Sequence, residues 1–372
     1  MSRTTPEARA WAWVAHLLDG GTTPWSAWGA DAPADQQSSR FLPGAQQLEL
    51  LRRLNQQRLP SPELAARVLA TSAPGRGRPD LGLVGVLPES AFGPPPVDPG
   101  ALPPDELVRV ATALIAEDTV AAGDPLEART PRLLRRRYRL LGDPELTRPL
   151  RDALVADGRP PGRRRATVVV AGTDVASMLV HVWTARSLGA GVRSWPDWLA
   201  SEVRRPGLAE RIDLAALASG WVGRVGPGRV HVVIDDPRRA ARLTGARHRR
   251  SSPRPLSADA VELARRTAPV VGTLVAPERR TALMWHRLRP VLAAYPGPAL
   301  RIPRRHRPWL DERTVDLRHR LAAGNYAVHG ALPAPTEQPG VVAPDEERVL
   351  LLAMQVLLGP PIGSVLAERE AR

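Results

Sequence analysis

The chain has 372 residues, is 43% hydrophobic and carries a formal net charge of +14; all 52 of its basic side chains are arginine, and cysteine is absent. Without cysteine there are no disulfides, thiol nucleophiles or cysteine zinc sites; without lysine there is no Walker-type phosphate clamp and no Schiff base. No apolar run reaches the length of a bilayer span, and the N-terminus, MSRTTPEARAWAWVAHLLDG, lacks a signal peptide's apolar core, so a cytoplasmic protein with no membrane partner is predicted.

Residues 6–19 read as an amphipathic helix, with Thr5 as its cap, Pro6 in its first turn and Trp11, Val14, Ala15 and Leu18 on one face. TTPWSAW (22–28) reads as a second helix start. Four tryptophans occur by residue 28, and at helical spacing they belong to a core rather than a stacking platform. A polar loop over 31–40 precedes helices at 44–57 and 61–71. APGRGRPD (73–80) breaks the pattern as a turn, and 88–104 is a proline-rich connection leading to a helix at 104–122. No strand alternation appears before residue 137. The expectation is an all-helical N-terminal domain over 1–128, with a proline-rich linker inside it.

The texture then changes. RYRLL (137–141) reads as a short strand, followed by the turn Gly142–Pro144 and a helix over 147–157. ATVVVAG (166–172) is the strongest strand signal in the chain. Helices follow over 173–189, 194–203 and 212–225, and RVHVVIDDP (229–237) is a second β-branched strand. Strands alternating with helices predict an α/β domain over 129–332, a parallel sheet with helices on both faces. The Arg- and Pro-rich stretch 238–257 reads as mobile. Helices are expected at 257–267 and 278–294, and RIPRRHRPWLDERTVDLRHRLAAGNYAVHGAL (301–332) is expected to be a long helix behind a basic lead, ended by Gly324-Asn325. A polar linker and an amphipathic helix at 345–358 complete a C-terminal segment, 333–372.

Charge divides along the same lines. Residues 1–128 hold 10 Arg against 15 Asp and Glu, residues 129–332 hold 39 against 17, and residues 333–372 hold 3 against 6. A net +22 in the middle segment predicts an anionic ligand, an acidic protein surface or nucleic acid as partner. RRAARLTGARHRRSSPR (238–254) is its densest part, with seven Arg and His248 but no aromatic residue, so base stacking has no platform there. None of the eight histidines makes a close metal spacing with acids. Asp235 and Asp236 stand at the end of the second strong strand, where α/β proteins place ligand groups. They are candidates for a catalytic base or a metal site, and equally for capping the turn before Pro237.

The order strand, Gly-x-Pro loop, helix, then VVVAGTDVASMLVHVWTARSLGAGVRSWPDWL and GRVHVVIDDP, resembles the sulfotransferase-like proteins of actinobacteria. RRHRPWLDERTVDLRHRLAAGNYAVHGAL is similar to the closing helix and signature of that group. The resemblance spans residues 132–332. It implies a P-loop-like α/β sheet and transfer of a sulfuryl group from 3′-phosphoadenosine 5′-phosphosulfate to a hydroxyl or amine. It also implies that the cofactor would touch Gly142, Pro144, Thr147 and Arg148 at one end and Thr173, Ser177 and His181 at the other. Both cofactor motifs depart from the family pattern. The family lysine is replaced by Glu145, its second glycine by Thr147 and the following hydroxyl residues by Arg148 and Pro149. The arginine and serine that hold its 3′-phosphate are replaced by Thr173 and His181, with Ser177 at a different spacing. A glutamate facing a phosphosulfate is repulsive, and a proline removes an N–H donor.

The expectation is therefore a non-catalytic, sulfotransferase-like protein that binds a protein or an anionic ligand and has no resident cofactor. The alternative is a divergent transferase using 3′-phosphoadenosine 5′-phosphosulfate, with His181, Asp235 or Asp236 as catalytic residue. Nucleic-acid binding through the basic segment is the third reading.

Overall fold

The computed structural model describes residues 5–29, 42–72, 79–86, 93–124, 137–162, 166–189, 191–246, 255–335 and 339–364. In chain order these form helices α1 (Pro6–Leu18), α2 (Ala45–Gln57), α3 (Pro62–Ala70) and α4 (Pro104–Ala121). Strand β1 (Tyr138–Gly142), helix α5 (Pro144–Ala156) and strand β2 (Thr167–Gly172) follow. Then come α6 (Val175–Ser187), α7 (Trp195–Val203), α8 (Leu214–Val225), β3 (Val230–Ile234) and α9 (Pro237–Thr244). The remainder is α10 (Ala258–Leu274), α11 (Pro277–Leu283), a π-helical turn (Met284–Leu288), α12 (Arg289–Leu292), α13 (Arg307–Ala322), β4 (Ala327–His329) and α14 (Glu346–Leu358). No helix among the described residues is long and apolar enough to cross a membrane.

Two compact units result, each assembled from separated stretches of chain. The first takes Met1–Asp124, Glu262–Tyr295 and Pro344–Arg372; the second takes Pro125–Val261 and Pro296–Ala343. The divisions expected from sequence at 128 and 332 therefore change: residues 262–295 and helix α14 join the N-terminal helices. The reason lies in α4. Val108, Val110, Ala111, Leu114, Ile115 and Ala116 are all fully buried, so this helix is apolar on several sides and needs partners on each. Helices α2, α3 and α14 supply them. The N-terminal tryptophans serve the same unit: Trp13 and Trp25 are buried with ring centroids 5.3 Å apart, and the Trp13 indole N–H donates to the Thr23 carbonyl at 2.9 Å. Residues 31–40 and 73–78, expected as loop and turn, lie outside the described residues, as do Pro88 to Phe92 of the proline-rich stretch.

The second unit is built on a four-stranded parallel sheet in the order β1-β2-β3-β4. Residues alternate between its faces. Tyr138, Leu140, Val169 and Val233 point to one face and pack with Leu154 and Leu150 of α5 and Ala240 and Leu243 of α9. The opposite face carries α8: a Cβ at Gly172 would meet the Leu214 side chain at 2.4 Å. Helices thus cover both faces. That explains why β2 and β3 are apolar runs rather than alternating ones.

Two sequence expectations change here, and one strand is added. The mobile stretch after β3 begins as helix α9, with Asp236 capping it, Pro237 opening it and Gly245 ending it in the left-handed region. Buried Arg159 completes that end by donating to the Thr244 and Gly245 carbonyls at 2.6 and 2.7 Å, a cation on the helix's negative pole. Residues 247–254 lie outside the described residues. The long helix behind the basic lead ends at Ala322, next to the expected Gly324-Asn325 stop, and Ala327–His329, given no element from sequence, pairs with His231–Val233 as strand β4. Helix α5 starts at Pro144 rather than near Thr147.

Candidate functional site

In a parallel sheet, ligands gather beyond the carboxyl ends of the strands, where helices begin and point their unpaired N–H groups outward. Here three strands end at Gly142, Gly172 and Ile234, and helices α5, α6 and α9 start two or three residues later. Each start is closed by the chain's own aspartate. Asp143 Oδ1 accepts from the Glu145 N–H at 2.9 Å, Asp174 Oδ1 from the Ser177 N–H at 3.0 Å, and Asp236 Oδ1 from the Arg239 N–H at 2.8 Å. Aspartate is a preferred N-cap because its carboxylate satisfies an orphan N–H and meets the positive end of the helix dipole. A phosphate would need the same groups.

Asp143 is the centre of this arrangement. Its side chain is fully buried, its backbone N–H donates to Ala171 at 2.9 Å, and its Oδ2 meets His181 Nδ1 at 2.7 Å. His181 stands on α6 with 27% of its side chain exposed. Burial pulls its pKa down. The hydrogen bond to Asp143 and the negative charges of Asp143, Glu145 and Asp174 outweigh that, and the net shift is upward from the usual histidine value. The pair is a charge-assisted bond that fixes the ring and directs Nε2 away from the carboxylate.

The other residues expected at the cofactor loop take structural roles. Gly142 has φ +93°, and a Cβ there would lie 2.2 Å from the Ala171 carbonyl oxygen, so glycine is required by the approach of β1 to β2. Pro144 opens α5, and the buried Thr147 hydroxyl donates to the Asp143 carbonyl at 2.7 Å. Arg148, expected as a substitute cation for a phosphate, lies 3.9 Å from Asp152 one turn along its own helix. At the second expected anchor, Thr173 is half-buried in the link from β2 to α6. Asp235 is exposed, with φ +53° and its N–H donating to Gly172 at 3.0 Å, and Asp236 is the α9 cap, so the two carboxylates do not act as a pair. Among the described residues, no group of three or more His, Asp or Glu is placed to hold a metal ion.

Ser177 has a different neighbourhood. With Ala176 and Val180 it forms one wall of a pocket of about 100 Å³, closed opposite by Arg301, Ile302, Arg304, Arg307 and Leu310. That volume exceeds the roughly 10–15 Å³ needed for one water and falls short of the roughly 300 Å³ of a drug-sized site. It suits a small anionic group or the end of a longer ligand. Arg301 is braced by donating to the Gly340 carbonyl at 2.9 Å, and Arg307 by Asp311 at 3.1 Å. Sequence reasoning missed this arginine set as site residues, reading RIPRRHR only as a basic lead into a helix.

Asp143 was missed too, being read only as the middle of Gly-x-Pro. Its signal was an Asp immediately before Pro at a helix start. No family model, curated protein or solved structure matches this chain.

Proposed function

We propose that this is a non-catalytic, cytoplasmic binding protein of sulfotransferase-like design whose ligand is anionic. The observation that carries this reading is the closure of the loop at β1: the buried Asp143 carboxylate sits on the α5 start where a phosphosulfate would sit, with Glu145 adding a second negative charge. An incoming phosphosulfate would meet like charge at a few ångströms, and the α5 start already has its acceptor. The arginine-lined pocket beside Ser177, in a segment of net +22, supports an anion as ligand.

Calorimetric titration with adenosine 3′,5′-bisphosphate tests the reading. We expect no binding at millimolar ligand. Micromolar binding that disappears in His181→Ala would overturn it.

One observation favours a second reading, a divergent group transferase. His181 is oriented by a buried carboxylate and has a raised pKa, the arrangement a general acid–base needs. On this reading the bisphosphate binds, and His181→Gln removes turnover without loss of fold.

A further inference from the structure

The sheet face that carries α9 holds a second recess, on residues separate from the pocket beside Ser177. It measures about 280 Å³ and is lined by Thr167 at the start of β2, His231 near the start of β3, and Arg239, Arg242 and Leu243 of α9. Next to it, His231 Nδ1 lies 3.2 Å from His329 Nε2 of β4, with the two rings stacked at 5.4 Å. This stacking follows from register: His231 pairs with Ala327 and Val233 with His329, so both imidazoles point to one face, one step apart.

The lining chemistry is one-sided. Two guanidinium groups, an imidazole and a hydroxyl are all capable donors, and among the described residues no carboxylate lines the recess. Neither Arg239 nor Arg242 has an ion pair with a described carboxylate, and Arg239 Nε is buried with no hydrogen-bond partner. Such a donor is costly when left unsatisfied, and more so when charged. Asp236 caps α9 through the Arg239 N–H and acts electrostatically on His329. At the carboxyl ends of the strands the chain supplies its own carboxylates; in this recess its described residues supply none.

We propose that this recess is a binding site for a tetrahedral oxyanion, the phosphate or sulfate group of a small ligand, held by Arg239, Arg242 and the Thr167 hydroxyl beside the His231–His329 pair. Geometry matches: a planar guanidinium offers paired N–H donors to an oxyanion, and two of them one turn apart on α9 can converge on one group.

A proton accompanies the ligand. His231 is held below the usual histidine value by burial, then by His329 and Arg239; His329 is lowered by burial and Arg239, against the opposing charge of Asp236. A bound dianion offsets the arginine charge and restores the protonated imidazoles. Linkage then requires affinity to rise as pH falls through the histidine range. Sulfate is the cleaner probe, because a phosphate group itself titrates near pH 6.

The test is titration of the full chain with sodium sulfate and, separately, with inorganic phosphate, at pH 5.5 and pH 8, followed by calorimetry and by the histidine ring resonances. Sulfate is expected to bind more tightly at pH 5.5 and to shift the His231 and His329 resonances while leaving those of His181 in place. Arg239→Gln and Arg242→Gln should each weaken binding by about tenfold or more, while the exposed Arg186→Gln on α6 should not change it. Phosphate binding without sulfate binding would narrow the ligand to phosphate groups and keep the site. Affinity that does not depend on Arg239 or Arg242, or that rises with pH, would overturn the proposal. So would His231 and His329 resonances that stay put in saturating sulfate, a readout that needs no variant to fold. Arg301→Gln and Arg304→Gln report on the pocket beside Ser177 alone, so failure of one site is distinguishable from failure of the other.

Discussion

The carboxyl ends of the strands and the recess under α9 are both places where an α/β protein meets charge, and they are finished in opposite ways. At the strand ends, Asp143, Asp174 and Asp236 close three helix starts, and His181 is raised by its buried partner. Under α9, Arg239 and Arg242 line a recess with His231, beside His329, and both histidines are lowered. A cationic group that the fold pairs internally is structural, because its charge is already spent. One left beside other cations costs stability unless something else neutralises it. The contrast directs the search for a ligand away from the loop that resembles a nucleotide site.

The sharpest way to break this comparison is to remove the internal carboxylate. Asp143→Ala removes the partner of His181 and uncaps α5, and should lower unfolding free energy by about 3–5 kcal/mol. Urea denaturation measures it; a change below about 1 kcal/mol would mean the pair is solvated and the loop open. Asp143→Asn keeps a capping acceptor but not the charge, so most of the loss should remain and the His181 pKa should fall.

Gly142→Ala comes next. Its methyl would overlap the Ala171 carbonyl at 2.2 Å on a backbone with φ +93°, which predicts a loss of about 1–3 kcal/mol with no ligand present. Unchanged stability would return this glycine to a ligand-binding role.

The histidines sharpen the comparison through pH. His181 has a raised folded pKa, so its contribution is complete below about pH 6.5 and is lost as pH rises through the folded value. His231 and His329 have lowered folded values, so the unfolded chain takes up protons first as pH drops below about 6.5, and stability falls until their folded values are passed. In thermal melts between pH 5 and 8, His181→Gln should flatten the alkaline side. His231→Gln should flatten the acid side. The same sign of change in both variants would erase the distinction between the two regions.

The smallest effect belongs to the residue between them. Asp236→Ala removes the α9 cap and should cost about 1 kcal/mol. It also removes an acid acting on His329, so sulfate binding in the recess should strengthen slightly.

Much of the second unit was legible because its signals are local. VVVAG and VHVVI announce themselves by β-branched content, and Pro and Asp mark the starts of α5 and α9. Helix α9 was nonetheless read as mobile. Three of its eight residues are arginine, although Ala240, Ala241 and Thr244 repeat on one face and are buried. Strand β4 has no sequence signal, since three residues, Ala-Val-His, carry no period of their own and become a strand only by pairing with β3. The arginine pocket beside Ser177 was missed for a similar reason: α6 and the stretch around Arg304 meet across more than a hundred residues of sequence.

By itself the sequence determined the chemistry that is excluded, the two strong strands and the helix caps, because each depends on residue type and near neighbours. It also held the departures from the phosphate-loop pattern. Only the tertiary structure decided that residues 262–295 and α14 join the N-terminal helices. It alone brought Asp143 within 2.7 Å of His181 and set two histidines against two arginines with no described acid to pair them. Burial and charge compensation depend on what lies beside a residue in space, and here the decisive neighbours are 38 and 98 positions apart in the chain.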